Sequence, residues 1–104
     1  MKTSNMELNI NNGTQTVINI NGRLDTVNVS DFEKAIAPVL AGEMKDVVLD
    51  CSALDYISSS GLRHFLTLQK TAGAKQGKLT LRGMKPEIKE IFDMTGFSAL
   101  FCFE

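Results

Sequence analysis

The first third of the chain alternates apolar and polar residues in the manner of two half-buried strands. The apolar positions of the first strand are Met6, Leu8 and Ile10. Asn12-Gly13 follows and predicts a type I′ turn, because that turn needs positive φ at both central residues. A second apolar run then ends near Gly22 and contains Val17, Ile18 and Ile20. The pattern predicts an antiparallel hairpin.

The next segment has apolar residues at helical spacing, at Phe32, Ile36, Val39 and Leu40. Asn28 or Ser30 is expected to cap this helix, since either side chain can accept a first-turn N–H. Pro38 predicts a kink or a looser last turn, because proline removes a hydrogen bond in a helix interior. Gly42 is expected just past its end.

Two more helices are predicted in the second half. One follows Ser58–Gly61 and closes at Gly73 or Gly77, with apolar positions at Leu62, Phe65, Leu66, Leu68 and Ala72. The other opens at Pro86 and stops at Gly96, with an inner face of Ile88, Ile91 and Phe92.

Three further strands complete the pattern. Asp46–Cys51 has a continuous apolar centre, which is typical of a covered central strand, and a short connecting segment, Ser52–Ile57, follows it. A fourth strand ends at Gly83, and a last short one contains Leu100, Phe101 and Phe103. The order β-β-α-β-α-β-α-β predicts an α/β fold with a mixed sheet of four to five strands and three helices, all on one face.

Composition limits the function classes. The 104 residues fit one domain, 1–104, and 43% apolar residues with a net charge of −1 exclude disorder. The pI near 5.8 gives no electrostatic basis for nucleic-acid binding. The longest uncharged stretch is rich in Asn and Thr, and no apolar core follows Lys2, so neither a membrane helix nor a secretory signal is expected. Two cysteines without an export signal indicate reduced thiols in the cytoplasm.

Charge is uneven along the chain. Acidic residues dominate from Asp25 to Asp55, and basic residues dominate from Arg63 to Lys89. Solvated helix faces are the simpler interpretation, and a bipolar surface that orients a charged partner is the alternative.

Residues with reactive or metal-binding side chains are few. His64, Cys51 and Cys102 share no ligand spacing, so no metal site is predicted. Both cysteines lie in apolar runs and are expected to be core residues, while His64 is expected on the side or outer face of its helix. No cofactor is predicted.

The run Ser58-Ser59-Ser60-Gly61 is the unusual feature of the sequence. Catalysis by Ser60 is not supported, since the flanking glycines of a nucleophile elbow are missing and His64 is poorly placed as a base. A phosphate-binding loop is not supported either, because no lysine follows Gly61. One serine can cap the helix, and a serine in the first turn is a favourable place for a covalent phosphate, because free N–H groups and the helix dipole receive the anion.

The segment Asp46–Leu62 resembles the STAS domain family, in particular the stand-alone anti-sigma factor antagonists. Gly22–Asp25 is similar to the family's Gly-x-Leu-Asp, and Ile91–Phe97 is similar to its Leu-Phe-Asp-x-[Ser/Thr]-Gly-[Leu/Phe]. The three separated motifs occur in the family's order, and the resemblance as a whole extends over nearly the whole chain.

This resemblance implies a regulator that is not an enzyme. Its partner would be an anti-sigma factor that is also a GHKL-type serine kinase: the unmodified antagonist binds it and releases the sigma factor. Phosphorylation would end binding, and a metal-dependent phosphatase would restore it. The phosphoacceptor matches Ser60, with Ser59 as second choice, and Asp25 matches the family's Asp beside it. Ser58 stands where the family usually has Asp.

The partner surface is predicted to combine Asp25, Thr26, Ser59, Ser60 and Arg63, and the free chain is expected to be a monomer that binds neither nucleic acid nor membrane. Gly61 is expected to leave room for an approaching kinase. Two alternatives remain open. One is a STAS scaffold or the cytosolic subunit of a lipid transporter, in which Ser60 only caps the helix. The other is a small-molecule or nucleotide binder that uses the same helix N-terminus.

Overall fold

A five-stranded mixed sheet carries three helices in the computed structural model, which describes residues 6–104. Residues 1–5, on which the expectation of no secretory signal depends, lie outside the described part. The elements in chain order are β1 (Met6–Asn11), β2 (Thr16–Leu24), α1 (Val29–Ala41), β3 (Val47–Ile57), α2 (Ser59–Ala74), β4 (Leu79–Arg82), α3 (Pro86–Thr95), a 3-10 helix (Phe97–Leu100) and β5 (Cys102–Phe103).

The strands lie in the sheet in sequence order, β1-β2-β3-β4-β5. β1 and β2 are antiparallel, and the other neighbouring pairs are parallel. The predicted element order, the mixed sheet and the opening hairpin are therefore confirmed. Within residues 6–104, every helix is too short or too polar to cross a membrane.

The core lies between the helices and one face of the sheet. Ile18 pairs with Leu49 on β3, and Leu49 pairs with Leu81 on β4, so an apolar row runs across the sheet. The rings of Phe32, Phe65 and Phe92, one from each helix, meet this face and each other, with centroids 6.0 and 6.1 Å apart. The thinnest dimension of the molecule is 19 Å, as expected for two layers. The prediction that all helices cover one face is confirmed.

β3 is longer than the sequence pattern predicts. The expected connecting segment, Ser52–Ile57, is part of this strand, which continues to Ile57 with two register shifts against β2. At the first shift, Asp50 Oδ1 accepts hydrogen bonds from the amide and the hydroxyl of Ser52. Such irregularities break the alternation of burial, because an extra residue reverses which side chains face the core.

The β1–β2 turn is also different from the prediction. Residues 12–15 connect the strands, which is two residues more than a type I′ hairpin, and Gly13 lacks positive φ. The amide of Thr16 donates to the carbonyl of Asp46 at the start of β3, so pairing with β3 begins directly at Thr16. β2 then extends two residues beyond the predicted end at Gly22, to Leu24.

Some of the helices end where the sequence predicts, and others do not. α1 runs through Pro38 to Ala41 before Gly42, and Gly96 ends α3 in the left-handed region with φ +81°, both as predicted. Gly73 lies inside α2, which ends at Ala74. Gly77 follows after the turn, where a Cβ would lie 1.8 Å from the carbonyl oxygen of Met44. A close backbone approach therefore explains that glycine.

The C-terminal strand is shorter than predicted. Leu100 belongs to the 3-10 helix, and β5 contains only Cys102 and Phe103.

Cys51 is buried as expected, and burial raises the pKa of its thiol to about 12. Cys102 is exposed, so the prediction of a core residue is wrong there. It pairs with Thr80 and so projects from the face opposite the helices.

Candidate functional site

The ends of β2 and β3 bring two loops together at one edge of the sheet. Leu24 pairs with Ile57, and the amide of the next residue, Ser58, donates to the carbonyl oxygen of Leu24 over 2.8 Å. Asp25 and Ser58 therefore leave the sheet side by side. This arrangement unites the two segments that the sequence predicts as one partner surface.

Asp25 and Asn28 shape the first loop by reciprocal hydrogen bonds. Asp25 Oδ1 accepts from the amides of Val27 and Asn28, at 3.0 and 3.1 Å. Asn28 Oδ1 accepts from the amide of Asp25 at 2.9 Å, and its Nδ2 donates to the carbonyl of Arg23 at 2.7 Å. Asn28 occupies the N-cap position of α1, but its side chain caps nothing because it is directed back into this loop. The predicted capping bond is therefore absent.

Ser58 is the N-cap of α2. Its backbone is extended, and its Oγ accepts a hydrogen bond of 3.2 Å from the amide of Gly61. Only 7% of the residue is exposed. Ser60 is therefore not the cap, and this detail of the scaffold alternative is wrong. A serine at position 58 can replace the family's aspartate here, because both side chains accept N-terminal amides equally well.

Ser59 and Ser60 are the first two residues of α2. Ser59 is exposed and Ser60 is partly buried. Their amides precede the first intrahelical bond, which runs from Leu62 to the carbonyl of Ser58. The positive end of the helix dipole therefore lies beside both hydroxyls. Arg63 is exposed one turn farther along the helix.

Gly61 serves the packing of the helix and not the access of a partner. It is buried, and a Cβ at this position would lie 2.8 Å from Ile57 Cγ1 and 3.0 Å from Leu24. α2 thus approaches the ends of β2 and β3 as closely as a glycine permits. The expectation that Gly61 leaves room for a kinase is wrong, because its missing side chain faces the core.

His64 lies on the side of α2, as the sequence predicts, and this side faces α1. Its Nδ1 is 3.0 Å from the carbonyl oxygen of Ser60, and its Nε2 is 3.7 Å from Oε2 of Glu33 on α1. Its ring contacts Phe32 edge-on. The imidazole therefore links the two helices directly below the serines.

Two further features of this edge were missed by the sequence analysis. Val27 is 86% exposed beside Asp25, although valine usually lies inside. The guanidinium of Arg23 lies 4.3 Å from the ring centroid of Tyr56 at the ends of β2 and β3. An isolated apolar residue in a polar loop is the signal that could have identified Val27.

The acidic and basic halves of the sequence pair with each other across β3 and β4. Asp50 forms an ion pair of 3.1 Å with Arg82, and Asp55 pairs with Lys85. Part of the predicted charge separation is therefore neutralised within the chain.

Other candidate sites are weaker. Residues 6–104 contain no group of three or more histidine, cysteine or acidic side chains that could hold a metal ion. A cavity of about 280 Å³ lies at the opposite edge of the sheet, between the β1–β2 turn and the α1–β3 connection. It shares no residue with the serine site.

Comparison with known proteins gives the family. The STAS domain profile matches residues 5–104. BtrV of Bordetella bronchiseptica, named an anti-sigma factor antagonist, is 37% identical over 82 residues, which cover 79% of this chain and 71% of that protein. This relative is named for a regulatory binding role and not for an enzymatic one, in agreement with the sequence prediction.

Solved structures have the same fold. An anti-sigma factor antagonist of Mycobacterium paratuberculosis is 22% identical and superimposes with a TM-score of 0.84, covering 94% of this chain and 84% of that one. Unphosphorylated SpoIIAA, an anti-sigma factor antagonist, is 20% identical with a TM-score of 0.77, covering 95% and 87%. Phosphorylated SpoIIAA of Bacillus, at 19% identity and a TM-score of 0.71, covers 95% and 90%. Together with the family match, these similarities place the chain in the STAS domain family.

Proposed function

We propose that this chain is an anti-sigma factor antagonist whose binding is controlled by phosphorylation of Ser60. The unmodified chain binds an anti-sigma factor that is also a GHKL-type serine kinase, and the sigma factor is released for transcription. The kinase phosphorylates Ser60 and the complex dissociates. A metal-dependent serine phosphatase regenerates the unmodified chain.

The observation that carries this proposal is that the three serines have different structural roles. Ser58 is buried and its hydroxyl accepts the amide of Gly61, so capping is complete without its neighbours. Ser59 and Ser60 are left at the positive end of α2 with no capping task. A phosphate attached there meets free N–H groups and a favourable dipole, so the fold tolerates it.

Charge explains how the modification would end binding. A phosphate adds about −1.5 to −2 charges where the unmodified chain presents a neutral hydroxyl. A partner surface that fits the hydroxyl would bury this charge without a counter-ion, which costs several kcal/mol. Each ~1.4 kcal/mol reduces affinity tenfold, so one phosphate is sufficient.

The proposed partner surface extends over both loops. Thr26, Ser59 and Arg63 are exposed, and Asp25 and Ser60 are partly exposed beside them. We add Val27 to this surface, since an apolar side chain with 86% exposure gains most from burial by a partner.

The choice of Ser60 over Ser59 follows the resemblance, because Ser60 directly precedes the glycine.

The chain is proposed to act as a single domain, 1–104, in the cytoplasm, as a monomer when free, without cofactor and without direct contact to nucleic acid or membrane.

Phosphotransfer tests the function. The chain and a GHKL-type anti-sigma factor from the same genome are incubated with ATP, and intact mass and peptide mapping are recorded. We expect one phosphoryl group on Ser60 and none on the Ser60→Ala variant, while Ser59→Ala is modified normally. Modification of Ser59 alone would overturn the assignment. No modification, together with copurification with a membrane ATPase, would favour a transporter subunit.

A further inference from the structure

His64 is held in one orientation between α1 and α2. Its Nδ1 lies 3.0 Å from the carbonyl oxygen of Ser60, and its ring contacts Phe32 edge-on, with centroids 6.4 Å apart. Its Nε2 is 3.7 Å from the carboxylate of Glu33, and a quarter of the side chain is exposed. One imidazole nitrogen is therefore already directed at an anionic group that is open to solvent.

The spacing along α2 gives each exposed serine a different cationic neighbour. Side chains four residues apart lie on the same helix face. A phosphate on Ser60 would thus be adjacent to His64, whereas a phosphate on Ser59 would be adjacent to Arg63.

We propose that His64 is a positioning residue that pairs with the phosphate on Ser60; this inference rests on the proposed function. An imidazolium donates from both nitrogens. Nδ1, the nitrogen that already faces Ser60, donates to a phosphate oxygen in place of the Ser60 carbonyl, while Nε2–H stays directed at Glu33. The charged groups around the ring are Glu33, from α1, and Arg63, its neighbour on α2.

The pair would hold the phosphate in a fixed position beside the start of α2. A nearby positive charge favours the more highly charged form of the phosphate, so the dianion forms at a lower pH. Without His64, a larger share of the phosphate would retain its second proton.

The test places phosphoserine at position 60 of the complete chain during synthesis, so that no kinase is needed. The ³¹P resonance is followed against pH in this chain and in its His64→Gln variant, since Gln can still donate to the Ser60 carbonyl. We expect a titration midpoint lower by about half a pH unit when His64 is present. Phosphoserine at position 59 is the matched control, and its midpoint is expected to respond to Arg63→Gln and not to His64→Gln.

A second readout needs no variant of His64. The ring resonances of His64 are titrated with serine and with phosphoserine at position 60, and their midpoint is expected to rise with the phosphate. Equal midpoints in both comparisons would overturn the pairing. If the pairing is found but the kinase leaves Ser60 unmodified, the proposed function fails and this inference stands.

Discussion

The amide of Ser58 donates a 2.8 Å hydrogen bond to the carbonyl oxygen of Leu24, which joins the start of α2 to the end of β2. Because of this bond, the Asp25 loop and the serine run form one structural unit. A change in either segment is therefore expected to affect the other, and variants must be tested for folding as well as for binding.

The N-cap of α2 can be tested by changing Ser58. Ser58→Ala removes the acceptor for the buried amide of Gly61 and is expected to reduce the free energy of unfolding by about 1 to 2 kcal/mol. Ser58→Asp retains the acceptor and is expected to be neutral. Urea unfolding measures both, with Ser59→Ala as the exposed control, for which a change below about 0.5 kcal/mol is expected. Equal stability of Ser58→Ala and the wild type would contradict the assignment of the cap.

A pair of glycines in α2 tests the close approach of this helix to the sheet. Gly61→Ala places a methyl group 2.8 Å from Ile57 and is expected to destabilise the fold by about 1 to 3 kcal/mol. Gly73→Ala meets nothing within 4 Å and is expected to stabilise it by about 0.5 to 1 kcal/mol, because alanine favours a helix. Thermal melts of the two variants should therefore move in opposite directions. A shift in the same direction would refute the packing role of Gly61.

Asp25 is expected to contribute to partner binding through its charge. Asp25→Ala should weaken kinase binding by about 1 to 3 kcal/mol, but it also removes the acceptor for two loop amides. Asp25→Asn keeps that acceptor and removes the charge, so it separates the two effects. Titration calorimetry is the measurement. Unchanged affinity in Asp25→Ala, Thr26→Ala and Arg63→Ala alike would mean that the partner binds elsewhere.

The Asp50–Arg82 pair predicts part of the response to acid. Partial burial raises the pKa of Asp50, but the hydrogen bonds from Ser52 and the Arg82 guanidinium outweigh it and hold the pKa below its ordinary value. The stabilisation is thus complete above the unfolded-state pKa of about 3.9 and disappears as pH falls through the lower folded value. Asp50→Asn should be less stable than the wild type at pH 7, and the difference should shrink below about pH 4. Glu90→Gln, at an exposed site, is the control, and a difference independent of pH would argue against the pair.

The sequence predicted regular elements better than irregular ones. Element order and helix faces followed from periodicity, since apolar spacing reports which face is buried. The extension of β3 could not be predicted in this way, because register shifts interrupt the alternation that identifies a strand. The motif predicted which segments form the candidate site, but not the structural roles within it. The structure shows that Ser58 is the cap and that Gly61 faces the core.

The central claim is that the charge at Ser60 controls binding, and a titration of the kinase with three forms of the chain tests it most directly. Wild type and Ser60→Ala should bind with similar affinity, while Ser60→Asp should show no binding although its melting temperature is close to that of the wild type, because a carboxylate at the start of α2 meets a favourable dipole. If Ser60→Asp binds as tightly as the wild type, or loses binding only because it is unfolded, the proposed switch is wrong.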